Sequence, residues 1–341
     1  MICIFCMGEH PPTSEHVIPL AIGGTITMNR VCRQCNSEIG ARVDSALVDF
    51  FTVRIRRADL GVGGRSGPPS KFDLLEGTHS LVGERDRRIQ VKFNGADNRL
   101  ELKSVYHSEN VVLPDGTSVR RVTIDAEEKE KIPKIINRER KRLGLPPLSD
   151  EEIQKHASEF SVETINNPQI NVRVTTSFAF LSHAMYKIAY EAAFLWLGER
   201  YLEDPLAEKM RTAILKNDPA STDILLGGVK EFDQNGVFKF WKTVESRHII
   251  FAHRNEIGIF IAIRIFDLFE AFILVTENPD LYVPLLPDQE KLRFIIIDAV
   301  TKETVNTSFS QEKSRVILAM IGTGRTIPVD DPIDAKKNVK S

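Results

Sequence analysis

All four cysteines of this 341-residue chain lie in its first 35 positions: Cys3, Cys6, Cys32 and Cys35. They form two C-x2-C pairs separated by a 25-residue spacer. Two such knuckles can deliver four thiolates to one tetrahedral centre, and a closed shell of soft sulfur favours structural zinc. The competing pattern, a pair of disulfides or unrelated thiols, needs an oxidising compartment. The opening MICIFCMGEH carries no Lys or Arg and no long apolar run, so it does not read as a secretory signal, and the mature chain is expected to start there. Four sulfurs leave no open position for water or substrate, so any catalysis must come from other residues. A module this small buries too little apolar surface to fold unaided and would draw on ~10 kcal/mol or more of metal binding.

The spacer concentrates polar residues between turn signals. Pro11-Pro12 and Gly23-Gly24 punctuate it, and Pro19 biases Ile18 toward extended backbone, so Glu15 to Ile18 reads as strand or loop within a short hairpin. After Cys35, Ile39, Val43, Ala46, Leu47 and Phe50 recur at helical spacing, which places Asn36 near the first turn of an amphipathic helix.

This order resembles the HNH endonucleases and their ββα-metal core. The resemblance rests on C-I-F-C at Cys3 to Cys6, E-H-V-I-P at Glu15 to Pro19, Gly23-Gly24, and C-R-Q-C-N with a following Gly40 and Asp44. It implies that His16 is the general base and that Glu15 and Asn36 hold one catalytic divalent ion, Mg2+, Mn2+ or another. The residue types suit that chemistry. Histidine titrates near neutrality and can deprotonate water, and hard oxygen ligands hold a cation that offsets charge on the phosphorus and the leaving oxygen. Two positions depart from the common pattern. Many members have Asp where this chain has Glu15, and many have Asn where it has Thr27. Asn29 is therefore the amide expected to orient the loop bearing His16, against a simple surface-loop role. Asp44 reads as a solvated or helix-packing residue, and His10 as non-catalytic.

The fold class implied is α+β: a zinc-stapled ββα-metal module over residues 1–60, a linker over 61–87, a larger mixed α+β domain over 88–325 and a flexible tail over 326–341. Glycine and proline clusters between Gly61 and Pro69 mark the module's end. Arg54, Arg56 and Arg57, with Arg65 beyond them, are candidate phosphate contacts, although a basic helix end is as often a solvated terminus matched to the helix dipole. Hairpins are expected over Arg88 to Tyr106 and Val111 to Ile124, and a charged helix from Ala126 to Leu143 interrupted by Pro133. Phe178 to Tyr201 reads as a core helix with Ser182, His183, Lys187 and Glu191 on its polar stripe. Four Ile- and Phe-rich runs between His248 and Val300 read as buried strands.

Charge and hydropathy bound the partners. Lys+Arg 45 against Asp+Glu 47 gives a net charge of -2, so a nucleic acid must meet a local basic patch rather than a basic protein. The apolar stretches Phe178 to Leu197 and Ile257 to Val275 are interrupted by charged residues, which excludes membrane spans and points to a cytoplasmic protein. Within these bounds the resemblance implies a metal-dependent endonuclease acting on DNA, with RNA as the second substrate, in a setting such as restriction or anti-phage defence. The alternative is a zinc-stapled module that binds nucleic acid or protein without cutting. Oligomeric state is not legible.

Overall fold

The computed structural model describes residues 1–308, 311, 312 and 314, except 74, 98, 156–159, 175, 219–226, 234–237, 239–245 and 283–292. The tail expected at 326–341 lies outside the described residues. The chain is a mixture of helix and sheet, as an α+β fold requires. It divides into two compact units, Met1–Lys71 with Thr175–Ser341, and Phe72–Val174.

The first unit begins with strands β1 (Pro12–His16) and β2 (Thr27–Cys32), paired antiparallel, followed directly by helix α1 (Arg33–Ile39). The helix then runs through one π-helical turn, Gly40–Asp44, into α2 (Ser45–Val48), and α3 (Phe51–Leu60) comes after a break at Phe50. A π turn inserts one residue and rotates the next helical segment by ~100° relative to an unbroken α-helix.

The second unit contains β3 (Gly77–Leu81), β4 (Glu84–Asn94) and β5 (Arg99–Ser104). A separate hairpin pairs β6 (His107–Val112) with β7 (Ser118–Thr123). A 3-10 turn at Ala126–Lys131 precedes α4 (Ile132–Arg142), the split falling where Pro133 lacks an amide hydrogen. Then come α5 (Asp150–Lys155) and the short β8 (Ile170–Asn171). The sheet order is β5-β4-β3-β8, around a small core of Leu81, Ile89 and Val91.

The first unit resumes with α6 (Phe178–Leu197) and α7 (Pro205–Lys216). Six antiparallel strands complete it: β9 (Gly227–Glu231), β10 (Arg247–Arg254), β11 (Ile259–Ile265), β12 (Phe269–Thr276), β13 (Arg293–Asp298) and β14 (Thr304–Ser308). Their order is β14-β13-β10-β11-β12-β9. Alternation sends Ile250 and Ala252 of β10 to the face covered by α6, and Ile249 and Phe251 to the other. Among the described residues, no helix is long and apolar enough to cross a membrane.

The expectation of a separate module at 1–60, joined by a linker to one later domain, differs from this grouping. One continuous apolar cluster joins Ile4, Phe5, Ile18, Ile39, Val43 and Leu47 to Leu181, Met185 and Ile188 of α6 and to Ile261 and Ile263 of β11. The segment 72–174 is the part that stands as its own unit. The physical reason is area: the ββα segment is too small to enclose its own apolar side chains and completes its core on α6.

His248 ties the two parts of this unit. Its Nε2 donates to the Ile22 carbonyl at 2.8 Å, and its Nδ1 accepts from the Phe266 amide at 3.2 Å. Burial lowers its pKa from 6.5 to about 4. A folded state that favours neutral imidazole is fully stabilised above pH 6.5 and loses that contribution as pH falls toward 4. The stability cost of His248→Gln should therefore be largest at pH 7.5 and smaller at pH 5, by on the order of 2 kcal/mol, in paired denaturant titrations.

Candidate functional site

The cysteines converge. Their four Sγ atoms lie within 4.8 Å of one another, with Cys6 and Cys32 3.9 Å apart. Tetrahedral zinc with Zn–S bonds of ~2.3 Å sets sulfurs about 3.8 Å apart, so the donor set fits structural zinc in both chemistry and spacing. The knuckles are shaped by backbone hydrogen bonds to sulfur: Cys32 N–H donates to Cys3 Sγ at 3.4 Å and Cys35 N–H to Cys32 Sγ at 3.5 Å. Cys32 caps α1, so the second knuckle and the start of the helix are one feature. All four cysteines are free of disulfides.

Helix α6 buttresses the first knuckle. Tyr190 donates to the Ile4 carbonyl at 2.5 Å, and its ring lies 5.3 Å from that of Phe5. At the Gly-Gly turn, Gly24 runs so close to Ile18 that a Cβ there would lie 1.8 Å from the Ile18 carbonyl oxygen. Gly23 has φ +93°, and a Cβ there would strike Ala299. The glycine pair thus allows the turn after Pro19 to close and to seat against the end of β13.

The hairpin register sorts the remaining site residues. Glu15 lies opposite Met28 and His16 opposite Thr27, with a bulge between Thr13 and Glu15. Directly opposed residues share a face, and successive residues alternate. Glu15 and Met28 are buried, whereas His16 is half-buried and Thr27 exposed. His16 therefore stands on the open face and Glu15 on the core face. Burial lowers the His16 pKa; Glu15 raises it, and Lys187 and Arg65 lower it further. The net shift favours the neutral, proton-accepting imidazole.

Asn36, in the first turn of α1, reaches β1. Its Nδ2 donates to Thr13 Oγ1 and to the Ser14 carbonyl, each at 3.1 Å. With the amino end committed to β1, the Oδ1 oxygen is left for another partner.

Glu15 corrects the expectation of a freely presented ion ligand. Its Oε1 accepts from Lys187 Nζ at 2.5 Å, deep in the core, which leaves Oε2 as the oxygen not engaged by the ammonium. Lys187 comes from α6 and is fully buried. It also donates to the His16 carbonyl at 2.8 Å and lies 3.3 Å from Asp44 and 3.2 Å from Glu191. Burial works against the ammonium, but Asp44, Glu191 and Glu15 outweigh it and hold its pKa above the ordinary lysine range. Burial pushes Asp44 up to about 6 and raises Glu191 well above its ordinary carboxylate value, with Lys187 working against both shifts.

Lys187 is the site residue that sequence reasoning missed. His183, Lys187 and Glu191 read as part of the polar stripe of an amphipathic helix, yet all three are buried, and Lys187 meets Glu15 of β1 and Asp44 of the π-helical turn. A lysine and a glutamate four residues apart, beside Tyr190 and inside an otherwise apolar helix, were the available signal.

Asn29 is a second correction. It is exposed on β2, and among the described residues no hydrogen bond links its side chain to the His16 loop. The group that holds the His16 backbone is the Lys187 ammonium, and Thr27 is the cross-strand neighbour of His16. The arginine row is a third. Arg57 is buried and donates to the Val48 carbonyl, Arg56 is paired with Asp267 at 2.5 Å, and Arg54 is half-buried with interactions of its own. Two of the three are spent on holding α3 in place. Arg65, exposed in the glycine-rich turn after α3, joins Lys187 in lowering the His16 pKa by its charge.

Purified protein should carry about one zinc per chain. Cys35→Ser, or extended chelation, should release it and make residues 1–50 the first region cut by protease. Retention of zinc by Cys35→Ser would contradict the four-sulfur site.

Among known proteins, no curated protein and no solved structure matches the chain. A family comparison does: residues 3–52 match the HNH endonuclease family, a span that takes in all four cysteines, both hairpin strands and α1. The N-terminal region of this chain is therefore similar to the HNH endonucleases, and its four cysteines are placed to hold one metal ion.

Proposed function

We propose that the chain is a metal-dependent endonuclease that hydrolyses DNA phosphodiester bonds in the cytoplasm. One observation carries the reading: within the HNH match, a half-buried His16 stands on the open face of β1, and Asn36 is hydrogen-bonded to the same strand two residues away. His16 takes a proton from the attacking water as general base. The chain's oxygens for a catalytic divalent ion are Asn36 Oδ1 and Glu15 Oε2, which are of the hard type that Mg2+ or Mn2+ takes. When bound, such an ion supplies charge that offsets the developing negative charge at phosphorus and at the leaving oxygen. Arg65, exposed and close enough to lower the His16 pKa by its charge, is the candidate phosphate contact beside the base. Cutting of foreign DNA, as in restriction or anti-phage defence, is a setting that fits this chemistry.

The second reading is a zinc-stapled module that binds nucleic acid or protein without cutting. It is favoured by the commitment of Glu15 to Lys187 and by the placement of Glu15 and His16 on opposite faces of β1.

Plasmid DNA and a long RNA, each incubated with Mg2+ or Mn2+, separate these readings. Wild type should nick or cut DNA, and His16→Ala should lose at least ~100-fold in rate while keeping its zinc and its melting temperature. Binding by both proteins with cutting by neither would establish the second reading, and cutting of RNA alone would reassign the substrate. Arg65→Ala should weaken DNA binding and lower the slope of log K against log salt by about 1, as loss of one phosphate contact requires. An unchanged slope would remove Arg65 from the interface.

A further inference from the structure

We propose that Lys187 is a positioning residue of the His16 site, acting from α6 by holding the Glu15 carboxylate and the His16 carbonyl on one ammonium. The proposal rests on the nuclease reading and deepens it. It stands on three contacts made by a single nitrogen. Lys187 Nζ meets Glu15 Oε1 at 2.5 Å, the His16 carbonyl at 2.8 Å and Asp44 Oδ1 at 3.3 Å. The first two lie on consecutive residues of β1, so the clamp fixes both the peptide that carries the base and the side chain beside it. The third lies on the helical run whose first segment, α1, carries Asn36, at the end of its π turn. One ammonium therefore joins the two elements that bear the proposed base and the proposed amide ligand.

A purely structural role would be met better by other residues. Burying an ammonium costs several kcal/mol, and apolar side chains of similar volume commonly replace buried ion pairs without loss of stability. The zinc knuckle is already held to α6 by Tyr190, one helical turn from Lys187, and the surrounding apolar cluster continues through Leu181, Ala184 and Ile188. An apolar residue at 187 would supply no donor to the Glu15 carboxylate and the His16 carbonyl. Carboxylates and imidazoles at metal-dependent sites depend on such outer contacts for their orientation, and loss of one typically costs 10- to 100-fold in metal affinity or activity.

The test is the full-length, zinc-loaded double variant K187M/E191L, which removes the ammonium together with its i,i+4 acid and so leaves one fewer buried polar group without its partner than K187M alone. Zinc content and melting temperature establish that it folds. Three quantities are then measured: kcat and KM on plasmid DNA, and Mn2+ affinity without nucleic acid, by electron paramagnetic resonance. The expected result is a kcat lowered by ~100-fold, a KM within about threefold of wild type and Mn2+ binding weakened at least ~10-fold. A folded double variant with wild-type kcat and wild-type Mn2+ affinity would overturn the proposal. If the double variant does not fold, Lys187→Arg, which keeps the charge but not the single-nitrogen geometry, is read by the same three quantities and the same criteria. Hydrogen exchange in the wild-type protein adds a measurement free of any variant: the amides of 15–17 should be among the slowest in the hairpin, and exchange as fast as at the hairpin's exposed turn would overturn the clamp. His16→Ala separates the failure of the clamp from the failure of the nuclease reading. If His16→Ala cuts like wild type, the nuclease reading falls and the Lys187 proposal with it; if His16→Ala is inactive while K187M/E191L cuts normally, Lys187 alone is lost.

Discussion

The buried ammonium of Lys187 is the interaction on which the rest of the N-terminal region depends. A lysine without solvent contact persists only when several acceptors surround it, and here three carboxylates and a backbone carbonyl do so. Because those acceptors lie on β1, on the π-helical turn and on α6 itself, the electrostatic requirement of one side chain fixes how three elements meet. Acids outnumber bases at this point, and burial raises the pKa of Glu191 well above its ordinary value and that of Asp44 to about 6.

Two anchors of different chemistry therefore hold the hairpin and helix. At one end the sulfur cluster ties the strand ends to the start of α1, and at the other Lys187 ties the end of β1 to the far end of the same helical run. Between them Asn36 bonds directly to β1. A short ββα segment has little apolar area of its own, and its core residues continue into α6 and the six-stranded sheet. The Gly-Gly turn, seated against Ala299, and His248, bonded to Ile22, extend the same attachment to the sheet.

Much of this was legible because its signals are local. The cysteine spacing, the extended Glu15-His16 segment before Pro19, the helical period after Cys35 and the Ile-rich strands each reside in short stretches of consecutive residues. The residues misread are those whose meaning is set at long range. Lys187 contacts residues 171 and 172 positions away, so its stripe on α6 looked solvated until β1 was laid across it. Arg56 and Arg57 looked like phosphate contacts because Asp267 and the Val48 carbonyl are invisible in a helix-end charge count. Asn29 was chosen for its amide, but the bulge in the hairpin leaves it exposed and sets Thr27 opposite His16. Arg65 carried the weakest sequence signal of the four arginines and proves to be the one that influences His16.

The most direct measurement of the account is a crystal structure of the full chain grown with Mn2+, with anomalous differences recorded at the zinc and manganese edges. The account predicts a zinc peak among Cys3, Cys6, Cys32 and Cys35, and a manganese peak bonded by Asn36 and the outer oxygen of Glu15 beside His16, with Lys187 still on the inner oxygen. Manganese found in the place of the Lys187 ammonium, or bound remote from His16, would contradict it.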